Sequence, residues 1–229
     1  MTILLYDLVG EDPSRPFSPH CWKTTMCLAH KGLDYRRVPT AFTSVATIEG
    51  GISTTVPVIR DGDTLVADSF TIALYLDDAY PERPSLFGGE GGKAMARFIE
   101  RWSQLTIHPF ANVAAMTDIH ARLAPPDQAY FRDSREKRYG KTLEDVSAPR
   151  EAELEGFRAS LTPLRNMLTY QPFIGGDAPL YPDYIVFGAF QWVRVMSPFR
   201  LLADDDPIAG WFERLLDLHG GLGRSVAAA

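Results

Sequence analysis

The spacing of apolar positions divides the chain into two unlike stretches. Ile3 to Leu8 is a short apolar run, and Val9 to Pro16 after it is polar and rich in turn formers, which predicts a strand and its exit loop. From Pro19 the apolar positions Trp22, Met26, Leu28 and Ala29 recur at helical spacing until Gly32 stops them. Ser18-Pro19 reads as the start of that helix, with the hydroxyl as N-cap and the proline in the first turn. Leu33 to Pro39 predicts a second strand. Residues 44–53 carry no decisive period and contain the adjacent Gly50 and Gly51. Val56 to Arg60 and Thr64 to Ala67 flank Asp61-Gly62-Asp63, a hairpin signal. Asp68-Ser69 then caps a helix whose apolar side is Ile72, Leu74, Tyr75, Leu76 and Ala79, with Pro81 as its stop.

From Pro81 to Gly89 the composition is that of a linker. Beyond it the period is helical throughout: residues 91–123 as a long helix or a pair bent at Pro109, then 126–139, 148–169, 181–197 and 206–219. The order β-α-β-(α)-β-β-α is that of a thioredoxin-like domain. The expected fold class is therefore α+β: a thioredoxin-like N-terminal domain over residues 1–80, a linker over 81–90 and an all-α C-terminal domain over 91–229.

Composition narrows the function. The 229 residues are 45% hydrophobic and 23% charged, which is ordinary for a globular chain with an ample core. A net charge of −6 argues against a nucleic-acid binder and against a basic membrane-surface protein. No stretch is long and apolar enough to cross a bilayer, and the first residues lack a signal-peptide pattern. Cys21 and Cys27 lie on different faces of one helical pattern, so no disulfide framework is expected and a reducing cytoplasm is the default. No His and Cys cluster has metal-ligand spacing.

The candidate chemistry starts at Ser18. A helix N-terminus carries unpaired N–H groups and the positive end of the helix dipole, so it stabilises an anion, and a hydroxyl there can add a donor. Val56-Pro57, the hairpin and then Asp68-Ser69-Phe70-Thr71-Ile72-Ala73-Leu74-Tyr75-Leu76 resemble the glutathione-binding half of the glutathione transferases. The resemblance implies a cis bond at Pro57 and a Val56 backbone that pairs with the cysteinyl part of glutathione, the tripeptide adding on as an extra strand. It also implies that the Ser69 hydroxyl and helix amides receive the γ-glutamyl carboxylate, with Asp68 towards the ammonium. Glutathione would be the co-substrate. With an all-α stretch following, the resemblance covers nearly the whole chain and implies a homodimer.

A free thiol has a pKa of about 8.5, so a transferase has to favour the thiolate. Ser18 matches the serine of the serine-type classes. It also holds the first place of the Cys-Pro-x-Cys element of glutaredoxin-like relatives, with Cys21 in the second, which favours thiolate stabilisation over disulfide chemistry. Cys21 is expected to be a packing residue. Tyr6, at the end of the first strand, and His20 are the alternatives to Ser18. The run Phe17-Ser18-Pro19-His20-Cys21-Trp22-Lys23-Thr24, together with the ending from Asp204 through Trp211 and Arg214 to Arg224, resembles the β-aryl-etherase branch of bacterial glutathione transferases and its fungal relatives. That branch implies a glutathione thiolate displacing a phenoxide from a carbon beside a ketone. The alternatives are a glutathione-dependent isomerase or dehalogenase, which needs a smaller and more polar pocket, and a non-catalytic carrier of aromatic ligands.

The acceptor pocket is expected between the domains, from Trp102, Thr106, Phe110, Met116 and His120 on the first long helix. Residues 40–55 hold no Lys, Arg or His for the glycine carboxylate of glutathione, which leaves Arg15 and Lys23 as candidates. One departure from the resembled pattern stands out: Leu180 occupies the N-cap position three residues before Asp183, a loss worth about 1 kcal/mol unless another group replaces it.

Overall fold

The computed structural model describes residues 2–229. The first stretch forms β1 (Ile3–Leu8), α1 (Pro19–His30), β2 (Tyr35–Thr40), a 3-10 segment (Phe42–Gly50), β3 (Val58–Asp61), β4 (Thr64–Ala67) and α2 (Ser69–Ala79). The four strands make one mixed sheet in the order β2-β1-β3-β4. β1 runs parallel to β2 and antiparallel to β3, and β3 pairs with β4 through the Asp61–Thr64 turn. The parallel pair needs a crossover, and α1 supplies it. The alternation of β1 buries Ile3 and Leu5 while Leu4 and Tyr6 are only partly covered.

The rest is helical: α3 (Glu90–Ala121), α4 (Pro125–Tyr139), α5 (Leu143–Ser147), α6 (Arg150–Ser160), α7 (Thr162–Met167), α8 (Tyr181–Met196) and α9 (Pro207–Gly221). α3 continues unbroken through Pro109. Pro109 and Leu105, the residue one turn before it, both face outwards. Water can therefore serve the carbonyl that the proline leaves unpaired. The expected helix over 148–169 is divided at Leu161, ahead of Pro163, and α5 precedes it. Five residues are too few to show a period, so α5 was invisible in the sequence.

α8 is the hub. It is buried along nearly its whole length and packs on both α1 and α3. Gly188 permits the first contact: a Cβ there would stand 2.2 Å from the Pro19 carbonyl oxygen. The missing side-chain cap at Leu180 is offset by Asp183. Its carboxylate accepts the amides of Leu180 (3.0 Å), Gly175 (2.8 Å) and Ile174 (2.7 Å) and the indole N–H of Trp211 (2.9 Å). No helix is long and apolar enough to cross a membrane among the described residues.

Candidate functional site

Three chain segments meet at one end of the sheet, after β1, before β3 and after β4. Ser18 caps α1, its Oγ accepting the Cys21 amide at 3.3 Å. The Val56–Pro57 peptide bond is cis. The Asp68 amide donates to the Pro57 carbonyl at 3.3 Å, which seats the start of α2 beside that bond. Asp68 holds a left-handed backbone conformation, φ 75°, and its Oδ1 caps α2 by accepting the amides of Phe70 and Thr71. Its Oδ2 accepts no hydrogen bond among the described residues, and buried Ser69 opens the helix. Nothing among the described residues hydrogen-bonds the Val56 N–H or C=O.

Ser18 and Val56 open onto one cleft of about 660 Å³ between the sheet and the long helices. The same residues 18 and 56 line it with His20, with Thr54 and Thr55, and with Phe42 and Val45 of the 3-10 segment. The helices contribute Gln104, His108 and Asn112 of α3, Phe131, Arg135 and Arg138 of α4, and Trp192 of α8. The outer wall is fastened by buried Asp127 of α4, whose carboxylate accepts the amides of Phe42 and Thr43, each at 2.9 Å. His20 stacks on His108 with ring centroids 5.3 Å apart. Burial, then the charge of Lys23, pushes His108 down to about 4 and His20 well below the usual imidazole range. Both rings are therefore neutral near pH 7. The Ser18 hydroxyl, already accepting at its oxygen, finds no acceptor for its proton among the described residues.

The remaining candidates lie elsewhere. The Tyr6 hydroxyl donates to Glu49, which in turn pairs with Arg60, so it does not line the Ser18 cleft. Cys21 is buried and its thiol is pushed well up by burial, as suits a packing residue. Arg15 is spent on the carbonyls of Val195, Ala227 and Ala228. Lys23 is fully buried 3.6 Å from Glu100.

None of the five expected acceptor residues lines the Ser18 cleft. Thr106 and Phe110 face a separate groove against α6, with Phe110 stacked on Phe157. Met116 is in the core, His120 is half-buried beside Phe131, and Trp102 packs against the core from its edge. For Trp102, Thr106 and Phe110 the reason is rotational, and for Met116 and His120 it is drift, since each four-residue step turns the helix about 40° further from the cleft. Residue 104 lies about 200° around the helix from residue 102, so an error of two positions selects nearly the opposite face. The polar series Gln104, His108, Asn112 at four-residue spacing was the sequence signal for the cleft face.

Residues 17–79 match the family described as glutathione S-transferase, N-terminal domain, and residues 94–218 match glutathione S-transferase, C-terminal domain. The glutathione transferase GSTFuA3 from Phanerochaete chrysosporium superposes with a TM-score of 0.78 at 25% identity, covering 100% of this chain and 98% of that one. The glutathione S-transferase CsGST63524 of Ceriporiopsis subvermispora, crystallised with glutathione, gives a TM-score of 0.76 at 26% identity over 98% and 95%. Among curated proteins, a zeta-class glutathione S-transferase of Euphorbia esula is 29% identical over 136 residues, 52% of this chain and 58% of that protein. Glutathione S-transferase Z1 of Arabidopsis thaliana is 38% identical over 69 residues, 28% of this chain and 31% of its own length. The chain thus spans less than two thirds of the length of these curated relatives. With the fold matched end to end and both domains recognised, the chain belongs to the glutathione S-transferase family.

Proposed function

We propose that the chain is a glutathione transferase in which glutathione lies along the Val56 backbone with its sulfur beside Ser18. The observation that carries this is the Ser18 hydroxyl: its oxygen is held by the Cys21 amide while its proton is free to donate into the cleft shared with Val56. A donor at the sulfur favours thiolate over thiol. The γ-glutamyl end would reach Asp68 and Ser69 at the start of α2. The thiolate then attacks an electrophilic, aromatic acceptor placed between Ser18 and the helical wall. In the etherase form, a carbon–sulfur bond forms at the carbon beside a ketone, the carbon–oxygen bond breaks, and phenoxide leaves with the electron pair. Aromatic side chains of the cleft, Phe42, Phe131 and Trp192, suit an aryl ring.

One observation favours a second reading. Gln104, His108 and Asn112 make the α3 wall polar, which suits a polar acceptor and hence a glutathione-dependent isomerase or dehalogenase. The protein is also proposed to act as a homodimer.

Retention on glutathione resin tests the site, and turnover of a β-aryl ether ketone, a chlorinated aromatic and a maleyl substrate separates the chemistries. Binding without turnover across that panel would leave the carrier. Ser18→Ala should keep glutathione bound and lower kcat about 10- to 100-fold, the value of a hydrogen bond to a charged group. Its pH–rate limb should move up towards the free-thiol value of about 8.5. An unchanged rate removes Ser18 from the mechanism.

A further inference from the structure

The cleft beside Ser18 has a charge opposite to that of the protein. No aspartate or glutamate lines it among the described residues, and its charged side chains are Arg135 and Arg138, in a chain of net charge −6. Neither arginine has an acidic partner among the described residues, although α4 is not short of acids: Arg132 on the same helix binds Glu136 and Glu144. Arg135 is half-buried, and its guanidinium lies over the rings of Phe131 and Phe42, 4.8 and 5.7 Å from their centroids. Among the described residues its side chain hydrogen-bonds only the Ser134 hydroxyl, at 3.1 Å. Burial, then the neighbouring charge of Arg138, works against its protonated form. Two like charges one turn apart repel, and an anion between them reverses that cost.

We propose that the electrophile accepted by this cleft is itself an anion, an aromatic compound bearing a carboxylate that Arg135 and Arg138 hold while its ring packs against Phe131 and Trp192. The inference rests on the glutathione transferase reading. A guanidinium fork matches a planar carboxylate through two parallel N–H···O bonds, and a stacked guanidinium is already oriented for it. A carboxylate reaches the cleft on either of two molecules, the acceptor or the glycine end of the tripeptide. The acceptor is favoured because the tripeptide's next residue along from Val56 would meet Thr55 and Thr54, which line the cleft on the sheet side, whereas the arginines come from α4 on the helical side.

The test compares 4-chloro-3-nitrobenzoate with its methyl ester as acceptors for glutathione. In each, the sulfur bonds to the ring carbon bearing chlorine, the carbon–chlorine bond breaks, chloride leaves with the electron pair, and the thiol proton passes to solvent. With each kcat/KM divided by that compound's uncatalysed rate with glutathione, because the ester is intrinsically the more reactive, the acid should be preferred by about tenfold or more, the value of one charge-assisted hydrogen bond. Arg135→Gln and Arg138→Gln should each collapse the acid-to-ester ratio towards one, with the change in the acceptor's KM rather than in glutathione's. An ester turned over as well as the acid on that scale overturns the proposal. So does a ratio that survives both substitutions while the KM for glutathione rises, which would give the arginines to the tripeptide. Should neither compound be turned over, the transferase reading fails separately, and calorimetric titration of acid and ester into the protein decides the proposal. Tighter binding of the acid, lost in the arginine variants, supports it, and equal or absent binding overturns it.

Discussion

Asp7 shows how a single residue under the site links charge to stability. It sits on β1, buried, with Oδ2 3.3 Å from the Arg37 guanidinium and Oδ1 without a partner among the described residues. Burial outweighs Arg37 and pushes its carboxyl up to about 6. An unfolded aspartate titrates near 3.9, so between about 3.9 and about 6 the native state holds a proton that the unfolded chain has released. Stabilisation from this group is present below that window and is lost as the pH rises through about 6. Above it the native state carries a buried carboxylate at a cost on the order of 3 kcal/mol. The buried imidazoles titrate in the opposite sense, so the informative quantity is the difference between variant and wild type. Asp7→Asn should gain little at pH 4 and be more stable than wild type by about 2–3 kcal/mol at pH 8 in urea unfolding. Parallel profiles would show that Asp7 titrates in the native state as it does in the unfolded chain. Nothing in the local pattern warns of this, because an aspartate near the end of a strand reads as a turn former.

At the scale of the element, legibility followed the strength of the period. α1 begins at Pro19, α2 follows the Asp68 cap, and α4 and α8 lie within a residue or two of their expected bounds. Caps and prolines mark these ends chemically, so local sequence suffices. The second strand begins at Tyr35, two residues later than expected, since Leu33 is used in closing α1 through its amide to the Leu28 carbonyl. What local reading missed at α8 is that Asp183 serves more than its own helix. Its carboxylate ties the 174–175 loop, the helix start and Trp211 of α9 into one buried cluster. Asp183→Ala would strand four N–H donors, each costing about 1–3 kcal/mol when buried and unpaired. Loss of at least about 3 kcal/mol in urea unfolding is expected, far above the roughly 1 kcal/mol of an ordinary cap. A loss no larger than that of a cap would mean that water replaces the carboxylate.

For the molecule as a whole, the difficulty lay in deciding which face of α3 meets which neighbour. The 32-residue helix has three working faces: a buried one, the polar cleft face, and an apolar stripe that the chain leaves in solvent. Apolar residues occupy two of the three, so periodicity could not rank them, and Trp102 was assigned to the cleft although it sits with the stripe. Met95, Phe98 and Leu105 on that stripe are 50%, 66% and 71% exposed, at spacing that puts them and Trp102 on one side. Large apolar groups aligned in water favour burial against a partner. A second copy meeting the stripe with its own would cover all of them by two-fold symmetry, and the cleft face, turned away around the helix, would stay open. Phe98→Glu combined with Leu105→Glu places four carboxylates in such a contact and should convert a dimer to a monomer in sedimentation velocity. Glutathione binding should persist, because neither residue lines the cleft. A wild-type protein that sediments as a monomer would remove the homodimer and leave the stripe without a role.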